Sequence, residues 1–167
     1  MEPEKPRLAL PIIIVGTVDL NRLLREIKKL QATLQAQLLR SEGHVAQTLP
    51  KLSQILDEFV QLNKLDLLQA ADQKRAIRFL EDVRDHAPKI HVSFSADPSP
   101  QFMSKFTFWF RNNIHPTILI TVGLQPGIGA GCVVRTANKY FDFSLSKSFE
   151  NNRELLVQQL QVPEVAA

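Results

Sequence analysis

The sequence predicts an α+β protein: an N-terminal helical hairpin or small bundle, then a β-α-β-β-β-α unit with a small mixed sheet. Three observations carry that expectation. Leu20, Leu23, Leu24, Ile27, Leu30, Leu34 and Leu38 recur at spacings of three and four, which places them on one helical stripe. Ile90, Val92, Phe94 and Ala96 alternate with His91, Ser93 and Ser95, the period of a half-buried strand. Three helical patterns precede the first strand, an α+β order.

Taken in order, residues 1–7 hold Pro3, Pro6, Glu2, Glu4 and Lys5 and read as a mobile tail. Residues 8–15 read as extended, and Pro11 makes them an edge strand or a docking segment, not a central strand. Gly16 and Thr17 break that segment, with Thr17 or Asp19 available as an N-cap. On the first helix, Arg22 and Glu26 sit four apart on the polar side and are placed to pair. Ser41, Glu42 and Gly43 form a turn. The second helix is expected to start near Thr48, with Pro50 in the first turn, where its missing N–H costs nothing. Its stripe is Leu52, Ile55, Leu56, Phe59 and Leu62, giving an antiparallel helical pair. A third helix covers about 68–86 through Ala76, Ile77, Leu80 and Val83. It ends before Pro88, because the residue preceding a proline avoids helical geometry.

Beyond the first strand, Asp97-Pro98-Ser99-Pro100 turns the chain into a helix ending near Asn113. Residues 117–122 form a second, more apolar strand. Residues 132–136 and 139–143 form two more, joined by Ala137-Asn138, where Asn tolerates positive φ. A last helix over about 146–160 buries Phe149, Leu156 and Leu160. The expected organisation is residues 1–66 for tail and hairpin, 67–160 for the α+β domain and 161–167 for a frayed tail.

Composition excludes several classes. Of the 167 residues 44% are hydrophobic, enough for a packed core, and the net charge of +3 comes without a Lys/Arg-rich run. Cys132 is alone, so no intrachain disulfide forms, and its apolar neighbours Val133 and Val134 make it a buried structural cysteine. The longest apolar stretch, residues 8–15, is interrupted by Pro11 and far short of the roughly 20 residues of a spanning helix. Glu2, Glu4 and the lack of a small-residue cleavage site argue against a signal peptide. At a membrane, partners would have to hold this chain.

The chemistry-bearing residues do not form a catalytic constellation. Gly127, Gly129 and Gly131 lead into the strand at Cys132, whereas a dinucleotide loop leads into a helix and a P-loop continues with Lys-Ser/Thr. They read as a tight corner needing positive φ or close backbone approach. His44, His86, His91 and His115 have no partner at metal-ligand spacing, and Asp97 and Asp142 form no acid/base pair. No Gly-x-Ser-x-Gly elbow occurs. In the helix over 101–111, Phe102, Phe106, Trp109 and Phe110 share one side with Met103 flanking, most of them as core, while Phe108 points elsewhere and is a candidate for a partner-binding patch. That helix also carries Lys105 and Arg111, which motivates a different-class alternative: a small RNA-binding module stacking bases on helix 101–111.

One ordered set of motifs is more specific. Ile128-Gly129-Ala130-Gly131-Cys132-Val133-Val134-Arg135, a short turn, then Asp142-Phe143-Ser144-Leu145 opening a helix resembles the C-terminal domain of the delta subunit of F-type ATP synthases, the oligomycin-sensitivity subunit family. Residues 89–96 match that domain's first strand and Ala96-Asp97-Pro98-Ser99 its strand-to-helix turn, so the resemblance covers roughly 67–160. The family's Gly-Gly pair is spread here into Gly129-Ala130-Gly131.

The resemblance implies a non-catalytic peripheral-stalk (stator) subunit, peripheral at the cytoplasmic face of a bacterial plasma membrane. Its implied partners are the N-terminal tails of the alpha subunits in the catalytic head and the C-terminal helices of the b subunits, joined against rotor torque. It implies no catalytic residue, cofactor or metal, no nucleic acid, no membrane insertion and no homo-oligomer. Gly127, Gly129, Gly131, Asp142 and Ser144 would be structural, Asp142 or Ser144 accepting N–H bonds where the final helix starts. The family carries a full all-helical N-terminal domain that grips the head, whereas only about 66 residues precede the matching part here. A reduced grip would use Leu20, Leu23, Leu24, Ile27, Leu30 and Leu34. The E-type stalk subunit of archaeal and vacuolar ATPases is a structural rival with the same kind of role.

Overall fold

The computed structural model describes residues 8–40, 51–154 and 157. In chain order they form α1 (Thr17–Arg40), α2 (Gln54–Asn63), α3 (Ala70–His86), β1 (Lys89–Phe94), α4 (Pro100–Asn113), β2 (Leu119–Leu124), a 3-10 turn (Pro126–Ile128), β3 (Gly131–Arg135), β4 (Tyr140–Ser144) and α5 (Leu145–Asn151). This is an α+β fold with an N-terminal helical part and a small mixed sheet. The strand order is β2-β1-β3-β4, with β1–β3 and β3–β4 antiparallel. In a mixed sheet that leaves β2 parallel to β1, the pairing a crossover through α4 permits.

The chain divides into two compact units, one within Met1–Pro88 and Pro100–Ile120, the other within Lys89–Ser99 and Thr121–Ala167. The division does not fall at residue 66 or 67. The reason is that α3 shares its apolar face with α1: Ala76, Leu80 and Val83 lie in one cluster with the α1 leucines. An exposed ion pair, Lys28 Nζ to Glu81 Oε1 at 2.7 Å, spans the same two helices.

In the first unit, helix starts are fixed by acids reaching back to backbone. Asp19 Oδ2 accepts the N–H groups of Val15 and Gly16, both at 3.2 Å, while Leu20 N–H makes the first helical bond to the Gly16 carbonyl. Glu26 accepts the Ser53 N–H at 3.0 Å and the Ser53 hydroxyl at 2.6 Å, so it positions the start of α2 instead of pairing with Arg22. Ser53 is the N-cap, its Oγ accepting from Leu56 N–H. The helix thus starts later than Thr48; Thr48, Pro50 and the expected turn at Ser41, Glu42 and Gly43 lie outside the described residues. At the far end Lys64 adopts positive φ, and Leu65 N–H bonds to the Val60 carbonyl, a Schellman-type stop.

The stripe of α1 faces this unit's own core. Leu20, Leu23 and Ile27 are fully buried and Leu24, Leu30 and Leu34 nearly so, covered by Leu56 and Phe59 of α2 and by α3. The expectation that these six side chains grip a partner is corrected: they present no surface to one. Leu38 lies outside the described side chains. On α2, Leu62 is half-exposed and leaves the core stripe expected of it.

Residues 8–15 form no strand. A turn bonding Ile14 N–H to the Pro11 carbonyl folds the segment, and Leu10 and Ile14 insert into the core. It is a docking segment, docked on its own chain. Asn63 grips the backbone of Ala9 from both sides, Oδ1 accepting the Ala9 N–H and Nδ2 donating to the Ala9 carbonyl. Arg111 of α4 donates Nη1 to the carbonyls of Leu10 and Pro11 and Nη2 to that of Ile14. Ile120 N–H adds one bond to the Val15 carbonyl.

In the second unit, the pairing register assigns faces. Val92, Val134 and Phe141 stand in one row and Phe94, Cys132 and Phe143 in the next, all on the apolar face with Ile90. His91, Arg135 and Tyr140 stand on the other face, as do Ser93, Val133 and Asp142.

If the α1 stripe is core, Ile27→Ala should lower unfolding free energy by about 2–5 kcal/mol, as buried aliphatic truncations do. Leu62→Ala should cost far less. Urea denaturation followed by circular dichroism compares the two.

Candidate functional site

The corner that carries the family resemblance is built from backbone constraints. Gly129 has φ 73° and ψ −69°, and Ala130 N–H bonds to the Ile128 carbonyl across it at 3.0 Å. That is a γ-turn of the form that is rare and strained for any residue with a side chain. Gly131 has φ 91°, and a Cβ there would strike the Phe143 carbonyl oxygen and lie 3.1 Å from the Ser144 Cα. Gly127 differs: its φ is not positive and a Cβ would enter open space, so nothing around it requires glycine. The Gly129 N–H bonds to the Pro126 carbonyl, so the N–H groups of Gly129 and Ala130 are spent within the turn and do not form a phosphate cradle.

The hairpin ends in a cap. Asp142 Oδ1 accepts the Ser144 N–H at 2.9 Å, and Ser144 Oγ accepts the Lys147 N–H at 3.1 Å as the N-cap of α5. The Ser144 hydroxyl and N–H, helped by the charge of Lys147, hold the Asp142 carboxyl below the usual aspartate range. Between β3 and β4, Thr136 closes the turn by bonding N–H to carbonyl with Lys139 and accepting the Lys139 N–H on its hydroxyl. Asn138 does not use positive φ; among the described residues Lys64 is the one non-glycine that does. Nor does α5 bury Phe149, which is half-exposed; Leu156 and Leu160 lie outside the described residues.

This hairpin is also where apolar surface is uncovered. On the apolar sheet face Ile90, Val92, Phe94 and Val134 are buried, but Phe141 is 42% and Phe143 61% exposed at the edge strand β4. Their rings stack at 6.2 Å with 10° between planes. On the other face Tyr140 is exposed under the Arg135 guanidinium, 5.2 Å from the ring centre. Leu145 continues the exposed apolar surface along the chain. Cys132, paired with Phe143, is half-buried, and burial pushes its thiol pKa up, away from a reactive thiolate.

A second apolar surface lies on the first unit. The buried line of α4 is Met103, Thr107 and Phe110, whereas Phe102, Phe108 and Trp109 are about half-exposed and Phe106 is intermediate. The sequence predicts most of Phe102, Phe106, Trp109 and Phe110 in the core; Phe110 is there and Phe102 and Trp109 are not, because the buried line of the helix runs through Thr107. The exposed rings support one another, Phe102 on Phe106 at 5.6 Å and Trp109 edge-on to Phe110 at 5.1 Å. Phe108 lines a groove with Leu8, Ile12, Leu62 and Phe79, rimmed by Arg75 and Asp82. Leu20, Leu23, Leu24, Ile27, Leu30 and Leu34 are therefore replaced, as exposed apolar surface, by Phe108 and its neighbours. Lys105 is exposed, but Arg111, the other cation expected to meet phosphates, is committed to three carbonyls.

Among the described residues no group of His, Cys, Asp and Glu could hold a metal ion. His86 meets Asp82 at 2.9 Å on the surface, His91 stands exposed on the sheet face opposite Val92, and His115 accepts the Thr117 N–H; His44 lies outside the described residues. No described helix is long and apolar enough to cross a membrane. The comparison with protein-family models finds no match, and the comparison with curated proteins finds none either.

Gly129→Ala and Gly131→Ala should each cost about 1–3 kcal/mol, the range for side chains forced into sparsely populated backbone conformations. Gly127→Ala should stay within about 0.5 kcal/mol. Thermal denaturation of the three variants checks the contrast. Because the folded Asp142 value is depressed, its contribution is present above the ordinary aspartate range and is lost as pH falls through the lower folded value. A carbon-detected NMR titration should place its midpoint below about 3.9, and Ser144→Ala should raise it.

Proposed function

We propose that this chain is a non-catalytic peripheral-stalk subunit of a rotary proton-translocating ATP synthase, joining the catalytic head to the stalk helices and resisting rotor torque. The observation that carries the reading is the uncovered end of the apolar sheet face at Phe141 and Phe143. It lies on the same β3–β4 hairpin whose Gly129-Ala130-Gly131 corner and Asp142-Phe143-Ser144 cap carry the resemblance to the delta family. A stator part needs area for a partner and a mount that does not yield. Two stacked phenylalanines supply apolar area, and a corner closed at Gly129, Gly131 and Ser144 supplies the mount.

In this reading the C-terminal helices of the b subunits lie along Phe141 and Phe143. A helix suits the surface better than an added strand, because the Ser144 N–H at that edge is already taken by Asp142. The catalytic-head tails would use the groove at Phe108, since the α1 stripe is occupied by the core. The protein would be peripheral to a bacterial plasma membrane, held there by those partners. An E-type stalk subunit would play the same kind of role.

One observation favours the RNA-binding alternative: Phe102, Phe108 and Trp109 are exposed beside Lys105. Against it, Arg111 is withdrawn into contacts with residues 8–15, a strap across α4, which leaves this helix one exposed cation near the rings. An RNA complex would weaken steeply with salt.

Purification of the tagged chain from its native cell in mild detergent should recover b and catalytic-head subunits. Phe143→Asp should lose the b subunits while keeping the circular dichroism spectrum. Recovery of nucleic acid, or of neither subunit, would overturn the reading.

A further inference from the structure

Two polar atoms on the buried side of α4 make no hydrogen bond within the chain: Thr107 Oγ1 and Arg111 Nε. Thr107 is fully buried. Hydroxyls elsewhere on these helices bond back to their own helix, Thr33 to the Lys29 carbonyl at 2.9 Å and Ser104 to the Pro100 carbonyl at 3.0 Å. Thr107 does not follow them. Arg111 meanwhile uses Nη1 and Nη2 on the carbonyls of residues 10, 11 and 14, which leaves Nε–H as the unused donor of its fork.

Each orphaned polar atom of this kind costs about 1–3 kcal/mol if it stays unsatisfied, so two residues four apart on one helix that each carry one call for a shared partner. Residues four apart on a helix have Cβ atoms about 5–6 Å apart, a span one small bridging molecule fits. The partner must accept from Nε–H and exchange a hydrogen bond with a hydroxyl. We infer that Thr107 Oγ1 and Arg111 Nε together form an internal binding site for one water molecule. Buried waters typically make about three hydrogen bonds; of the carbonyls held by Arg111, those of Leu10 and Ile14 keep a second lone pair for the third, that of Pro11 being shared already with the Ile14 N–H. The water then completes the guanidinium's hydrogen bonding and fixes Arg111 in the rotamer that ties residues 8–15 to α4. The alternative ligand is a small anion, which would accept from both groups.

The test is a water-selective ROESY experiment on isotope-labelled full-length protein, read at the Arg111 Nε–H. Wild type and Thr107→Ser should show a cross-peak to a long-lived water, and Thr107→Val should lose it while the Arg111 signal remains. A cross-peak from Nε–H to the Thr107 hydroxyl proton, or no water cross-peak in wild type, would overturn the site. So would melting temperatures that rise with chloride at constant ionic strength in wild type and not in Thr107→Val, the mark of an anion. Because wild type alone decides the first readout, the inference stays testable if Thr107→Val fails to fold.

Discussion

Six side chains of α1, from Leu20 to Leu34, require an apolar cover, and the first unit is arranged to supply it. Each is worth about 1.5–3 kcal/mol when removed from water, as an upper figure. The cover comes from three places: Leu56 and Phe59 of α2, Ala76, Leu80 and Val83 of α3, and Leu10 and Ile14 of the strap. Polar groups then fix where each cover element begins. Asp19 closes the start of α1, Glu26 holds Ser53 at the start of α2, and Arg111 and Asn63 hold the strap. The strap has no regular structure to satisfy its carbonyls, so a guanidinium does it.

That arrangement has a cost at Arg111. Its charge is desolvated and bound to backbone carbonyls, and burial brings its pKa down to about 10. It stays protonated at neutral pH, because three carbonyl dipoles replace much of its hydration. In the second unit the same accounting runs through backbone geometry. Gly129 and Gly131 accept conformations closed to other residues, and Asp142 with Ser144 converts the end of β4 into the start of α5. The glycine corner and the Asp142–Ser144 cap are spent on closure, while the aromatic rings of β4 stay exposed.

The order of elements was legible in the sequence because each rests on a strong local signal: the three-four spacing of the α1 leucines, the alternation from Ile90, Pro88 and Pro100 as boundaries, and Asp-x-Ser before the last helix. The corner at Gly129 and Gly131 was legible from its glycines, although Gly127, named with them, has no such constraint, and the capping role of Asp142 and Ser144 came from the family resemblance. What was not legible depends on tertiary contact. Nothing in the pattern of α1 says whether α3 or a foreign helix covers it. On α4 the aromatic residues outnumber the positions one helix face can bury, and the small Thr107, not Trp109, took the buried line. The strap tie could not be read either, since Arg111 lies about a hundred residues from the carbonyls it holds. Phe149 was placed in the core from spacing alone, in a helix that buries none of its residues.

The central claim is that the exposed end of the apolar sheet face is where a stalk helix lies. The most direct measurement is site-specific photocrosslinking in living cells, with a benzoylphenylalanine at position 143 and mass spectrometry of the adduct. The account predicts an adduct to the C-terminal helix of a b subunit, absent when the photoreactive group sits at exposed Lys29 of α1. An adduct to RNA, to an unrelated protein, or equally from both positions would contradict it.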